Sequence, residues 1–503
     1  MSRESMLAMP EPQQYYAAVD LGSNSFHLVV VRVVHGCIHI VGKVKQKVRL
    51  AAGLDPQMQL DELSMERGWR CLETFAERLQ DIPATNIRVV ATATLRLARN
   101  AEQFLHKAEQ ILGHPIDVIS GEEEARQIYL GVAYTSANQG NSLVIDIGGA
   151  STEIILGKDF TPKKLVSLDM GCVTFMERYF ANGQLTQANF DLAQQAARDL
   201  LSGVAGEFTC HQWRQCLGAS GTPQAITEIL VAQGINDTIR LSYLKDLMQQ
   251  CVACGSLGDL HIHGLSEARK PVFASGLSIL TVLFELLGIE QMQISGGALR
   301  EGLLYGMLEN IHHHDVRQRT LDSLTQRFQI EEAQAHRVAE TALSLYRQLP
   351  QDAMACQLDA EGILLAAARL HEIGLHIDFK HSHCHGKYIL SHLSMSGFTK
   401  IQQECISELV GSHRQDINPE SFAQFQQEVA QLLKLLCRVL RIAHVLSIRR
   451  KDNLLPQIKT SLDTDILTLT FPANWLKSHP LLDAELANEK WLQHRAGWEL
   501  QIH

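Results

Sequence analysis

The chain has 503 residues, of which 46% are hydrophobic and 20% charged, and its net charge is −10. This composition excludes a disordered chain and suits about three domains, and the acidic balance argues against a nucleic-acid partner. The cysteines include one Cys-x-x-Cys pair without a second, so we expect reduced thiols in a cytoplasmic protein rather than a zinc site. We find neither a signal segment nor an apolar run of the ~18 residues that a membrane span needs, so we expect no membrane partner.

A short phrase occurs twice in the chain. AAVDLGSNSFHLVVV ends at Val31 and LVIDIGGASTEIILG ends at Gly157, with Asp20 and Asp146 in equivalent places. Each copy predicts a strand, a turn of small residues and a second strand. Backbone amides of such a turn favour phosphate, and an aspartate at the strand end favours Mg²⁺. One copy alone would be an ordinary tight hairpin, but two copies favour duplicated lobes that face each other across a phosphate cleft.

The return strand after the first copy carries cationic side chains at every second position. Lys43, Lys45, Lys47 and Arg49 therefore lie on one face of that strand. Two interpretations stay open: a solvated edge strand, on which lysines prevent aggregation, or a cationic wall beside the cleft.

Strand and helix patterns alternate along the next 250 residues or so. Residues 61–80 and 97–112 predict helices, 87–98 a strand and a helix start, and 114–134 and 293–308 a strand followed by a helix. This alternation indicates an α/β fold. After about residue 313 the periodicity is helical, and a short β-rich tail follows from about residue 457.

Glycine-containing turns supply the candidate phosphate ligands. Two follow the aspartates, a third is the segment GASGT, and a fourth is the double glycine before Arg300. Four such turns in an α/β chain predict one converging phosphate site. The candidates are Ser23, Asn24, Ser25, Gly148, Gly149, Ala150, Ser151, Gly218, Ser220, Gly221, Thr222 and Gly297.

Three adjacent glutamates, residues 122–124, begin the helix of 114–134. Carboxylates at a helix N-terminus complement its dipole, which is the simplest explanation of the cluster. Mutual repulsion also raises carboxyl pKa values towards those of a useful base. Arg96 and Arg269 are candidate charge stabilisers, with an exposed surface arginine as the commoner alternative.

Seven segments, taken in this order, resemble the exopolyphosphatase/guanosine pentaphosphate phosphatase family. They are DLGSNSFHLVV, ATATLRLA, ISGEEEAR, VIDIGGASTE, MGCVTF, GASGT and GGALREGLLYG. The likeness is greatest to the guanosine pentaphosphatase branch, because Ala150 stands where exopolyphosphatases usually have glycine, and because ERGWRCLETFAERLQDIP and LHEIGLHIDFK resemble that branch.

This resemblance implies a fold of two duplicated RNase-H-like domains of the actin/hexokinase/Hsp70 type, then an all-α HD-like domain and a small β-containing subdomain. The implied boundaries are 1–130, 131–313, 314–456 and 457–503. It also implies that Glu124 is the catalytic base, with Glu123 as a rival, that Arg96 and Arg269 line the cleft, and that Asp20 and Asp146 hold the metal.

The implied reaction is hydrolysis of the terminal 5′-phosphate of guanosine pentaphosphate (pppGpp) to guanosine tetraphosphate (ppGpp) and phosphate, in the stringent response, by Mg²⁺-assisted attack of water. Exopolyphosphatase activity on inorganic polyphosphate is the alternative, and one enzyme with both activities is a third. A kinase of the same superfamily and an alarmone-binding regulator are further alternatives. We expect a homodimer. In the C-terminal half His371 is followed by Glu372, so the His-Asp pair of an HD metal site is degraded.

Overall fold

The computed structural model describes residues 14–34, 37–137, 140–209, 213–308, 315–350 and 358–503. Contacts divide the chain into two compact units, Met1–Val316 and Arg317–His503. The boundary predicted at residue 313 lies outside the described residues, and the finer domain boundaries stay predictions.

The first lobe of the N-terminal unit contains a mixed sheet with strand order β3-β2-β1-β4-β5. Its first three strands are antiparallel neighbours, and the last two run parallel to β1. The elements of this lobe are β1 (Tyr15–Leu21), β2 (Phe26–Val34), β3 (Cys37–Gln46), α1 (Glu62–Leu79), β4 (Ile87–Ala91), α2 (Ala93–Leu97), α3 (Ala101–Leu112), β5 (Asp117–Val118) and α4 (Gly121–Thr135).

The second lobe repeats this topology, with strand order β8-β7-β6-β9-β10 and the same parallel and antiparallel pairs. The duplication predicted from the repeated phrase is therefore confirmed at the level of two equivalent sheets. The elements are β6 (Asn141–Ile147), β7 (Thr152–Lys158), β8 (Thr161–Leu168), α5 (Cys172–Tyr179), α6 (Gln187–Ser202), β9 (Gln215–Ala219), α7 (Gly221–Ala232), α8 (Leu241–Cys254), α9 (Lys270–Leu287), β10 (Gln293–Ile294) and α10 (Leu299–Gly306).

Helices α4 and α10 pack against each other, and two glycines form the contact. A Cβ on Gly131 would lie 2.7 Å from the Gly302 nitrogen, and a Cβ on Gly302 would lie 2.7 Å from the carbonyl carbon of Gln127. Any larger side chain would separate the helices. The two helices share one apolar core with both sheets. The lobes are thus joined through α4, and the predicted boundary at residue 130 lies inside this helix.

Helix α9 is the one described helix that is long and apolar enough to cross a membrane, and 78% of its apolar window is buried inside the protein. Its side chains pack into the core of the second lobe. Helix α9 is therefore buried to the extent expected of a helix in the core of a globular domain.

The C-terminal unit is mainly helical and ends in a small sheet with strand order β11-β12-β13. One apolar core runs through its helices and this sheet. The elements are α11 (Val316–Arg327), α12 (Glu332–Tyr346), α13 (Ala360–Leu370), α14 (Ser382–His392), α15 (Lys400–Ser412), α16 (Gln427–Leu446), β11 (Lys459–Asp463), β12 (Ile466–Thr470), α17 (Pro480–Arg495) and β13 (Glu499–Ile502).

Helix α16 carries two buried arginines. Arg438 and Arg441 are each 1% exposed. Arg438 donates to Gln493 Oε1 at 3.0 Å, and Arg441 donates to both carboxylate oxygens of Glu489 at 2.8 and 2.9 Å. These arginines hold α17 against α16, since a buried guanidinium needs such partners.

Candidate active site

The two repeated turns meet at the ends of β1 and β6. A Cβ on Gly149 would lie 3.1 Å from Ser23 Cβ and 3.5 Å from the Asn24 nitrogen, so the second turn touches the first. Backbone amides of residues beyond the turns donate hydrogen bonds to carbonyl oxygens in both turns. Arg49 N donates to Asn24 O at 2.9 Å, and Val173 N donates to Gly149 O at 2.9 Å. The predicted convergence of these turns is therefore present.

Four carboxylates gather at this junction, and we call them the carboxylate cluster. They are Asp20 at the end of β1, Asp146 at the end of β6, Glu153 opposite Asp146 on β7, and Glu124 on α4. Except for Asp20, which is partly exposed, these side chains are buried. Four acidic groups on four different elements therefore lie around one site.

Burial raises the pKa values of the whole cluster. It raises the pKa of Asp20 to about 6, with repulsion from Asp146 adding to the effect and Arg300 opposing it. The pKa of Asp146 is also raised to about 6 by burial, and the charge of Arg300 opposes this rise. Burial raises the pKa of Glu124 to about 7, against Arg96, and holds the pKa of Glu153 well above its ordinary value. Such shifts are typical of catalytic groups.

Glu124 is directed into the cluster by its helix and by one arginine. Ser120 Oγ caps α4 by accepting from the Glu123 amide at 3.1 Å. Arg96 Nη1 then donates to Glu124 Oε2 at 2.8 Å and to the Ile119 carbonyl at 2.8 Å. This arginine therefore fixes the position of the Glu124 carboxylate.

The rival glutamate has different neighbours. Glu123 accepts from Gln127 Nε2 at 2.7 Å and lies 3.3 Å from Arg126 Nε, both on its own helix. Its side chain is 35% exposed, against 10% for that of Glu124. The geometry favours Glu124 as the residue that acts in the cleft, and the assignment of the base stays a prediction.

Arg300 lies close enough to Asp20 and Asp146 to oppose the rise in their pKa values, and we call Arg300 and its neighbours Arg269, Lys43 and Lys45 the cation group. Arg300 Nη1 donates to His27 Nδ1 at 2.8 Å. Burial and then Arg300 lower the pKa of His27 to about 2, so the ring is neutral and accepts this bond. Burial, Arg269 and Arg300 lower the pKa of Lys45, which shows that these cations are close neighbours.

Both interpretations of the lysine strand are therefore partly right. β3 is an edge strand, and Lys43 and Lys45 are exposed at the surface. The same two lysines lie within electrostatic reach of Arg300. Lys47 Nζ in addition donates to the Ala268 carbonyl at 3.0 Å, beside Arg269. The strand thus forms one cationic side of the site.

Arg269 is the residue before α9, and its guanidinium lies against the third turn at the start of α7. Ser220, which caps this helix, has φ of 62° and donates to the Ile147 carbonyl at 2.9 Å. A Cβ on Gly221 would overlap the Arg269 guanidinium. A helix N-terminus and a guanidinium are both positive, so their contact is stabilised when an anion lies between or beside them.

Four other phosphate candidates have packing neighbours. Gly218 lies inside β9, Gly297 donates its amide to Ser295 Oγ at 3.1 Å, and Thr222 packs against α9 near Gly276. Ala150 is buried. Their contact with phosphate stays a prediction. Ser25 differs from them: its hydroxyl is buried in the first turn and has no hydrogen-bond partner among the described residues.

Sequence reasoning missed Glu153, His27 and a role for Arg300. Glu153 stands in the repeated phrase at the place that His27 has in the first copy, since Asp20 pairs with His27 and Asp146 with Glu153. A comparison of the two copies residue by residue would have pointed to this polar position. Ser167 Oγ donates to Glu153 Oε1 at 2.8 Å and holds it in place.

Glu153→Gln is expected to stabilise the protein against unfolding at alkaline pH. A carboxyl group whose pKa is raised by folding stabilises the folded state below its ordinary pKa, and this contribution is lost as the pH rises through the folded pKa. A glutamine at this position does not ionise, so the variant does not lose stability in this way as the pH rises. Urea unfolding in EDTA at about pH 5 and about pH 8 should show that the variant gains stability relative to the wild type as pH rises.

Glu122→Gln is the control, since Glu122 is exposed on the same helical turn as Glu124. The difference in the free energy of unfolding between Glu122→Gln and the wild type should not change with pH. A difference for Glu153→Gln that is the same at both pH values would contradict the burial argument.

The described residues contain no group of three or more His, Cys, Asp or Glu that is placed to hold a metal ion. The carboxylate cluster still suits a magnesium ion bound by few protein ligands. Asp20 and Asp146 repel each other, and a cation would relieve this repulsion. Mg²⁺ usually takes one or two carboxylates, and completes its shell with water and phosphate oxygens.

Comparison with known proteins identifies relatives over the whole chain. The Ppx/GppA phosphatase family matches residues 29–311, and domain III of that family matches residues 316–490. A protein of Pseudoalteromonas atlantica named guanosine-5'-triphosphate,3'-diphosphate pyrophosphatase is 62% identical over 500 residues, which are 99% of each chain. A protein of Aeromonas hydrophila with the same name is 48% identical over 487 residues, which are 97% of this chain and 98% of that protein.

Solved structures share the fold over about 60% of this chain. An exopolyphosphatase from Cytophaga hutchinsonii superposes with a TM-score of 0.54 at 22% identity, over 60% of this chain and 99% of that chain. The Aquifex aeolicus PPX-GPPA enzyme superposes with a TM-score of 0.50 at 23% identity, over 59% of this chain and 100% of that chain. From the family match and the full-length identities, the chain belongs to the Ppx/GppA phosphatase family.

Proposed function

We propose that this protein hydrolyses the terminal 5′-phosphate of pppGpp, giving ppGpp and phosphate, in the stringent response. The proposal rests on one observation. The carboxylate cluster and the cation group lie next to each other at the junction of the two turns. A polyphosphate chain needs cations around its oxygens, and its hydrolysis needs a base for water. The full-length relatives named for this substrate support the same activity.

In the proposed reaction Glu124 accepts a proton from the attacking water. The water oxygen bonds to the terminal phosphorus as the anhydride P–O bond to the next phosphate breaks. That bond's electron pair stays on ppGpp. Arg96 positions Glu124, while Arg269, Arg300 and the amides of the turns stabilise the charge that develops on the phosphate oxygens.

We also propose Mg²⁺ as the cofactor, with Asp20 and Asp146 as its protein ligands. The ion would supply charge neutralisation of the phosphate chain. Burial raises the pKa values of these two carboxyl groups to about 6 although Arg300 opposes the rise, and a bound cation would favour their ionised forms, which supports this assignment.

Asp146→Asn is expected to raise the Mg²⁺ concentration for half-maximal activity by roughly tenfold or more, because it replaces a charged oxygen ligand by a neutral one. A titration of phosphate release with Mg²⁺ measures this. Asp159→Asn is the control, since Asp159 is exposed after β7. An unchanged midpoint for Asp146→Asn would contradict the ligand role.

Activity is expected to fall as the pH drops below about 7. The base must be deprotonated, and the pKa of Glu124 is raised to about 7, so the protonated, inactive form accumulates below this value. A profile of kcat/KM from about pH 5 to about pH 9 should rise through the neutral region and then level. A flat profile would contradict the role of a buried carboxylate base.

Exopolyphosphatase activity is the second candidate function. The cationic side chains that alternate along β3 favour it, since a regular row of charges suits a long polyanion. Phosphate release from pppGpp, polyphosphate and ATP, each with and without Mg²⁺, tests both. Binding of pppGpp without phosphate release would indicate an alarmone-binding regulator, and phosphate transfer from ATP to an acceptor would indicate a kinase.

The finer architecture belongs to the same proposal. We infer an actin/hexokinase/Hsp70-type pair of RNase-H-like domains at 1–130 and 131–313, an HD-like domain at 314–456 and a subdomain at 457–503. The repeated sheet topology and the mainly helical C-terminal unit support these assignments. We further propose a cytoplasmic homodimer without membrane or nucleic-acid partners, and light scattering of the purified chain tests the dimer.

A further inference from the structure

The C-terminal unit contains a cavity of about 590 Å³ that the proposed reaction does not use. This volume is within the range of small-molecule sites. Residues from α12, α16, α17 and the segments after α13 and α15 form its wall. The polar part of the wall includes His371, His413, His444, Arg414, Arg441 and Arg450, together with four acidic residues.

The three histidines form a compact triad. Their ring centroids lie 5.1 to 5.4 Å apart. His371 is fully buried and its Nδ1 lies 2.7 Å from the Ala368 carbonyl, while Nδ1 of His413 lies 2.7 Å from the Val410 carbonyl. A carbonyl only accepts hydrogen bonds, so both Nδ1 atoms carry the proton and both Nε2 atoms of the neutral rings are acceptors.

These rings are neutral because they are buried. Burial lowers the pKa of His371, lowers that of His413 well below its ordinary value, and lowers that of His444 to about 3. His371 Nε2 is buried and has no hydrogen-bond partner among the described residues. The triad therefore offers acceptors to a ligand that carries hydrogen-bond donors, such as hydroxyl groups.

Arg414 is the cation of the wall that remains available. Arg441 is bonded to Glu489 and Arg450 to Glu372. For Arg414 the contacts within the described residues are with Ser382 Oγ at 3.2 Å, the Phe379 carbonyl at 3.5 Å and the Phe379 ring, and none of these partners is a carboxylate. Arg414 is therefore the arginine of the wall that has no carboxylate among its hydrogen-bond partners in the described residues, so its donors can pair with a phosphate group.

An aromatic ring completes the wall. The Phe379 side chain is 71% exposed and lines the cavity together with Leu375 and Ile448, which are also exposed. The Arg414 guanidinium lies 4.9 Å from the ring centroid. Exposed aromatic rings of this kind bind the faces of nucleobases.

From these features we propose that the cavity binds a nucleotide. Its phosphate pairs with Arg414, its ribose hydroxyls donate to Nε2 of His371 and His413, and its base packs on Phe379. A metal ion is not the ligand proposed here, because the described residues hold no group of three His, Cys, Asp or Glu placed for a metal. This site is separate from the carboxylate cluster, so it does not depend on the proposed reaction.

Calorimetric titration of the full chain with GMP and with AMP, in EDTA, tests the proposal. Arg414→Gln should weaken binding of either nucleotide by about tenfold or more, because it removes a charge-assisted pair. Arg327→Gln is the matched control, since Arg327 also stacks on a phenylalanine, Phe328, at 5.2 Å but does not line the cavity. It should bind as the wild type does.

A second pair of variants tests whether a loss of binding reflects misfolding. Phe379→Ala should weaken binding several-fold, whereas Tyr388→Ala, at a ring that is 66% exposed and outside the cavity, should not. Arg300→Gln reports binding in the N-terminal cleft and should leave this affinity unchanged. The proposal is overturned if neither nucleotide binds, if Arg414→Gln and Phe379→Ala bind like the wild type, or if Arg300→Gln alone abolishes binding.

Discussion

Glu124→Gln is expected to lower turnover of pppGpp by about 10²–10⁴-fold, the usual contribution of a general base. The Glu124 residue is 8% exposed, and its carboxylate is held by Arg96 at 2.8 Å and has a pKa raised to about 7. Glutamine keeps the size and an acceptor oxygen for Arg96, so the protein should fold and bind substrate. Phosphate release in single-turnover conditions measures the chemical step.

Glu123→Gln is the matched control for this variant. Glu123 is adjacent in sequence and has the same charge, but its carboxylate contacts Gln127 and Arg126 on its own helix. This variant should keep nearly full turnover. If Glu123→Gln loses turnover while Glu124→Gln keeps it, the base is Glu123.

Arg300→Gln is expected to lower kcat/KM for pppGpp by about 10²–10³-fold, as for removal of one preorganised donor at a developing charge. Arg300 lowers the pKa values of Asp20 and Asp146 and donates to His27 at 2.8 Å. Without it both carboxyl groups ionise less readily, so the profile of activity against pH should also move to higher pH.

Arg126→Gln is the control for the loss of a cation. Arg126 lies on α4 with its side chain 50% exposed, near Glu123. Its replacement should leave kcat/KM within about twofold, as is usual for a surface charge. An equal loss in both arginine variants would indicate a general effect of net charge and would contradict a specific role of Arg300.

The duplicated lobes could be predicted from the sequence because their signal is local. Each copy of the phrase contains a strand, a turn and a strand within fifteen residues. The helix predicted at 61–80 is confirmed by α1, whose N-terminus is capped by Asp61 through a 2.6 Å bond from the Ser64 amide. Caps and periodic apolar residues act over a few residues, so a sequence contains them directly.

Ion partners of the helices could not be predicted in the same way. Arg438 and Arg441 lie one helical turn apart, which is equally consistent with a solvated face and with a buried one. Their partners Gln493 and Glu489 lie 55 and 48 residues further along the chain. Only the packing of α17 against α16 determines that these arginines are buried.

The sequence by itself determined the two equivalent aspartates, the small residues of the turns and the glutamates at the start of α4. The tertiary structure decided which of these residues meet and what they face. Arg300 and His27 are 273 residues apart, and Glu124 is 28 residues from Arg96. Each sheet is built from neighbouring segments of its own lobe. The contacts named above arise instead because α4, α10 and β3 bring side chains from distant segments to one junction. Local periodicity contains no information about such pairs, since burial and charge compensation depend on the assembled core.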